Sequence, residues 1–67
     1  MNSLKPITEN EWVGLTLNEA IKKAQDMGYT HRIVEENGAA KMVEYSNKSN
    51  RINLRLRGDR VIGVYPG

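Results

Sequence analysis

The chain has no cysteine, no phenylalanine, one histidine and only two prolines among its 67 residues. Without thiols it has no disulfide staple, no thiolate nucleophile and no zinc–thiolate site, a composition suited to a reducing compartment. Long apolar runs are also missing. Residues 1–11 are polar and carry Lys5 and Pro6 where a secretory signal would carry its apolar stretch, so the expectation is a cytoplasmic protein without a membrane span. What is present is enough for folding: 39% apolar residues against 27% charged describes a globular chain and not a disordered one. At this length the expectation is one small domain, residues 12–67, behind a flexible N-terminal arm, residues 1–11. Its core is too small to line a deep catalytic cleft.

The chemistry needed for catalysis is equally thin. His31 sits beside Arg32 in a strand-like stretch, and pairing it with Ser3, Ser46 or Ser49 would require a nucleophile turn whose sequence is not there. Glu35 and Glu36 are adjacent and so point to opposite faces of a strand, which does not suit a shared metal. No glycine pattern cradles phosphate. The tripeptide Arg57, Gly58, Asp59, known as a cell-adhesion signal, reads here as turn chemistry. The expectation is a protein that is not an enzyme and needs neither cofactor nor metal.

Charge is sparse in sum and uneven in place. The net charge is +2, and the basic excess falls within residues 41–60, where Lys41, Lys48, Arg51, Arg55, Arg57 and Arg60 face only Glu44 and Asp59. Such a stretch is either a patch for phosphate or an acidic partner, or the solvated face of one strand.

Local patterns locate the elements. Thr16, Leu17, Asn18, Glu19 is a capping box, followed by an apolar stripe at Leu17, Ala20, Ile21 and Ala24 and a stop at Gly28, with Glu19 and Lys23 spaced to pair on the outer face. Trp12 is expected to fold back over the end of the core. Residues 30–35 read as a short strand. Ile52, Leu54 and Leu56 alternate with Arg51, Asn53, Arg55 and Arg57, a strand with one buried and one wet face. A turn at Gly58 and Asp59 leads to a last strand, residues 61–65, that ends at Pro66. The fold class expected is α+β: one helix on a small mixed sheet, a long extended loop between the two central strands, and a C-terminal hairpin. Residues 37–49 form that loop, and loops of such length in small domains are usually functional or disordered. At its centre Lys41, Met42, Val43, Glu44 and Tyr45 have no turn former and favour extended backbone. They are either a presented segment or an extra edge strand through Met42 and Val43.

Along the chain stand Trp12, Val13, Gly14, then Thr16, Leu17, Asn18, Glu19, Ala20, then Arg32, Ile33, Val34 and Gly38, then Val43, Glu44, Tyr45, then Asn50, Arg51, Ile52, Asn53, and last residues 61–67. In this order and at this spacing, over nearly the whole chain from Trp12, they resemble the potato inhibitor I family of serine-protease inhibitors and its short bacterial relatives. The resemblance implies inhibition by substrate mimicry, in which an extended loop is bound by the protease as a substrate but is held too firmly to proceed to products. By alignment from Gly38 the reactive bond falls between Val43 and Glu44. Val43 then fills the primary pocket, Lys41 and Met42 precede it, and Glu44 and Tyr45 follow. An apolar residue there suits a subtilisin-like or chymotrypsin-like target. Arg51 matches a family arginine that reaches under the loop, to its carbonyls or to Glu44, and Asn53 matches a second supporting position. The stretch from Ser46 to Asn50 is longer than the family usually has, which keeps Met42 open as the specificity residue.

The competing expectation is a non-inhibitory binding module that meets a protein or nucleic-acid partner through its basic strand face. Nucleic acid is disfavoured because stacking side chains are few, three Tyr and one Trp. The chain is expected to be a monomer or a weak dimer through its open sheet edges.

Overall fold

The computed structural model describes residues 7–43 and 46–67. The helix α1, Leu17–Asp26, starts where the capping box sets it: Glu19 N donates to Thr16 Oγ1 at 3.2 Å and Thr16 N donates to Glu19 Oε1 at 2.9 Å. It ends in a Schellman motif, with Tyr29 N donating to Ala24 O at 2.8 Å and Gly28 N to Gln25 O at 3.1 Å. Gly28 takes φ +86°, a left-handed conformation that glycine adopts without strain.

The capping box also has an electrostatic reading. The Thr16 backbone N–H holds the Glu19 carboxyl below its ordinary pKa, with the Thr16 hydroxyl and the charge of Arg60 acting in the same direction. Because the folded value is depressed, this stabilisation is complete above the unfolded carboxylate value and is lost as pH falls through the folded one. Thr16→Ala is expected to cost about 1 kcal/mol, a fall of roughly 4–8 °C in Tm for a domain of this size. Glu19→Gln is expected to flatten part of the acid-side decline of Tm. Thermal melts followed by circular dichroism at neutral and acidic pH check both.

Glu19 is thereby turned toward Thr16 and not toward Lys23, which corrects the expected outer-face pair. Lys23 instead lies with Nζ 5.4 Å from the centroid of the Trp12 ring, a cation–π contact.

Four strands form one sheet in the order β2-β1-β3-β4: β1 Thr30–Glu36, β2 Ala39–Ala40, β3 Arg51–Arg57 and β4 Arg60–Pro66. The central pair, β1 and β3, is parallel, and the outer pairs are antiparallel. This is the expected α+β architecture. Ile52, Leu54, Leu56, Val61 and Val64 pack with Trp12, Ala20, Ala24 and Tyr29 into the buried core. Trp12, which was expected to fold back, is fully buried, and alanine at positions 20 and 24 removes the side-chain bulk that would hold the helix off the sheet.

The segment ahead of the helix does more than join it to the sheet. Gly14 N donates to Val61 O, Val61 N to Leu15 O, and Val64 N to Glu9 Oε2. These bonds occupy part of the outer edge of β4, a row of backbone groups that would otherwise invite pairing with a second chain. Glu9 belongs to a 3-10 turn, Glu9–Glu11, and Ile7 packs against the core.

Among the described residues, no helix is long and apolar enough to cross a membrane.

Candidate functional site

A parallel pair obliges the chain to travel back along the sheet before it can start its second strand. This accounts for the position of the long connection and for part of its length. It opens with a tight reversal: Asn37 at φ +53° and Gly38 at φ +82° turn β1 into β2, the two-residue hairpin that Asn-Gly favours. Asn37 Oδ1 also accepts from Gly58 N and Asn37 N donates to Leu56 O, so this turn is stitched to the β3–β4 turn. The edge strand beside β1 is therefore Ala39–Ala40, not the one weighed through Met42 and Val43. From Ala40, level with Glu35, the chain must reach Arg51, level with Thr30. Five residues of rise and two strand spacings make that roughly 20 Å. Residues 41–50 can span about 33 Å when extended, so the connection is longer than the return requires.

Both ends of this connection are fastened. Upstream, Lys41 N donates to Val34 O at 2.9 Å and Lys41 Nζ pairs with Glu36 at 2.9 Å. The Lys41–Val34 bond continues the antiparallel β1–β2 pairing one step beyond Glu35 and Ala40. Downstream, Asn50 O accepts from both Thr30 N and Thr30 Oγ1. Between these anchors Met42 is wholly exposed, at 103%, and Val43 is 41% exposed. Glu44 and Tyr45, with the Val43–Glu44 bond and any pairing of Arg51 with Glu44, lie outside the described residues.

Arg51 is the hub beneath the loop. It is 6% exposed, which departs from the wet face that alternation along β3 suggested. Nη2 donates to Ser46 O at 2.7 Å and to Gly67 O at 2.9 Å, and Nε donates to Gly67 O at 3.2 Å. Gly67 in turn donates its N–H to Arg51 O and accepts from Lys48 N. One guanidinium and one glycine carbonyl thus join the descending arm of the loop to the end of β4. A side chain at Gly67 would meet Asn53 Nδ2 at 3.2 Å while the backbone sits at φ +137°, a conformation L residues rarely adopt.

Asn53 is buried next to Arg51, likewise against the wet-face expectation. Its Oδ1 accepts from Arg32 Nε at 2.8 Å and its Nδ2 donates weakly to Tyr65 O at 3.4 Å. Arg55 and Arg57 are exposed. Arg55 bonds Glu35 at 2.9 Å, and that carboxylate holds its pKa above the ordinary arginine value. The upward face of β3 therefore divides into a buried half, Arg51 and Asn53, and a solvated half, Arg55 and Arg57.

The structure brings Arg51 to the foot of the loop beside Asn53, and it leaves Met42 fully and Val43 partly exposed. Arg32 and Gly67 belong to the same network and had no sequence signal of their own. The Asn37–Gly38 turn had one, the Asn-Gly dipeptide itself. Among the described residues, no group of three or more His, Asp or Glu is placed to hold a metal ion. Comparison with protein-family models, with curated proteins and with solved structures finds no match.

Proposed function

We propose that the protein is a serine-protease inhibitor that acts by substrate mimicry through the loop at residues 39–49, against subtilisin-like or chymotrypsin-like enzymes. One observation carries the reading: an exposed apolar pair, Met42 and Val43, stands between two backbone anchors, Lys41 to Val34 on one side and Ser46 to Arg51 on the other. A loop that is already ordered loses less conformational entropy when a protease grips it, and cut ends held by the scaffold stay poised for religation. The apolar character of the pair matches pockets that accept uncharged side chains and not one built around a buried carboxylate.

The basic-face alternative has less behind it. Arg51 is buried and spent on backbone carbonyls, Arg32 bonds Asn53 and Arg55 bonds Glu35, so three arginines of this surface are engaged within the fold and Arg57 stands exposed beside them.

The test is titration of subtilisin and of chymotrypsin with the protein and with Val43→Asp and Met42→Asp. The native chain is expected to inhibit stoichiometrically. A charge at the pocket-filling residue is expected to weaken inhibition at least about a hundredfold, roughly 3 kcal/mol, with Tm nearly unchanged because both side chains are exposed. The more damaging substitution identifies the specificity residue. Full inhibition by both variants contradicts the assignment.

A further inference from the structure

Methionine is an unusual side chain to find wholly exposed. Met42 stands in the loop at 103% exposure, whereas Met27 lies at the end of α1, partly buried and packed against the core. Met1 lies outside the described residues. The two described thioethers thus differ sharply in the access they give to a small oxidant. Accessibility governs thioether oxidation, and the product differs greatly in polarity from the starting side chain.

We propose that Met42 is a modification site, a thioether that a hydroperoxide oxidises in preference to Met27, and that its sulfoxide releases the loop from its protease. The chemistry is a two-electron oxygen transfer. The sulfur lone pair attacks one peroxide oxygen, the O–O bond breaks as the S–O bond forms, and the proton on the transferred oxygen passes to the departing hydroxide, which leaves as water. The side chain keeps its length but gains a polar S–O group that needs a hydrogen-bond partner. In an apolar pocket, or pressed against the rim of one, that group is desolvated without compensation. The effect holds whether Met42 or Val43 fills the primary pocket, since both would be covered by a bound enzyme. Nothing in the fold depends on the Met42 side chain, so the modification acts on binding and leaves stability in place. A thiol-dependent methionine sulfoxide reductase would reverse it.

The loss of inhibition rests on the function proposed above; the selectivity of oxidation does not. The experiment exposes the protein to a small excess of hydrogen peroxide, follows addition of one oxygen to each methionine peptide by mass spectrometry, and titrates subtilisin and chymotrypsin before and after. Met42 is expected to oxidise about as fast as methionine in a short peptide and Met27 several times more slowly. Inhibition is expected to fall about tenfold or more, a free-energy change of roughly 1.4 kcal/mol per tenfold, and to return after reductase treatment. In Met42→Leu the ratio of inhibition before and after peroxide is expected to stay near one. Equal oxidation of Met27 and Met42 overturns the site, and undiminished inhibition by the Met42 sulfoxide overturns the switch. If the untreated protein inhibits neither enzyme, the inhibitor reading and the switch fail together, while the oxidation rates still decide the modification site.

Discussion

Under the proposed function, Arg51→Ala is expected to turn the protein from an inhibitor into a substrate. The native guanidinium is buried and donates to Ser46 O and twice to Gly67 O. Removing it leaves those two carbonyls without their charged donor, at a cost of about 1–3 kcal/mol, and deletes the side-chain bond from β3 to Ser46 on the descending arm of the loop. The sheet itself does not rest on that bond, so the domain should stay folded with a lowered Tm. The loop loses its preorganisation. Inhibition of subtilisin should weaken roughly tenfold to a hundredfold, and the loop should be cut faster. Arg51→Lys keeps the charge but not the planar fork that serves two acceptors at once, and is expected to fall between the native chain and the alanine variant. Inhibition constants and cleavage rates measured on the three proteins check the order. Equal cleavage rates in native and alanine forms would remove Arg51 from the mechanism.

The largest effect on stability is expected at Trp12. It is fully buried, and its core neighbours are two alanines, a tyrosine and the aliphatic side chains of β3 and β4, none of which can grow into the space it would vacate. Trp→Ala in such a setting costs about 3–5 kcal/mol. A chain of 67 residues has a total stability of roughly 3–10 kcal/mol, so Trp12→Ala should be largely unfolded or melt at least about 15 °C lower. The same residue also fixes the segment that covers the edge of β4, so the variant should self-associate as well as melt early. Trp12→Phe is informative beside it. The indole Nε1–H is buried and has no acceptor among the described residues, so phenylalanine discards an unsatisfied donor along with some volume and should cost far less than alanine. Melting by circular dichroism, with light scattering to follow association, reads all of this. A Trp12→Ala variant that melts within a few degrees of the native chain would contradict the account of the core.

Elements whose signals are local could be read from the residues. The capping box at Thr16 and Glu19, the glycine stop at 28 and the strand across residues 51–57 each depend on neighbours within a few positions, and each element stands where its pattern places it. What the alternation could not convey is which half of the polar face of β3 is covered. Arg51 and Asn53 are engaged by Ser46 from the loop, by Tyr65 and Gly67 from β4 and its end, and by Arg32 from β1, and Arg55 and Arg57 on the same face remain exposed. Sequence periodicity reports the pleat, not what lies on it. The reversal at Asn37 and Gly38 is a different case. Its dipeptide is a strong hairpin signal, but the hairpin arm it serves is only the two alanines of β2, too short to show a period. At the candidate site, the exposed apolar pair was visible as an extended, turn-free stretch. The grip of Arg51 on Ser46 and Gly67 belongs to three-dimensional proximity.

Substrate mimicry requires that this loop be bound by a protease and resist it. The most direct measurement mixes the protein with subtilisin at equal concentration, follows residual activity over hours, and maps any cut within residues 41–46 by mass spectrometry. The account predicts stoichiometric loss of activity with a slow cut after Val43 or Met42, intact and nicked protein persisting together in the complex. Rapid cleavage of the loop with full recovery of activity would contradict it.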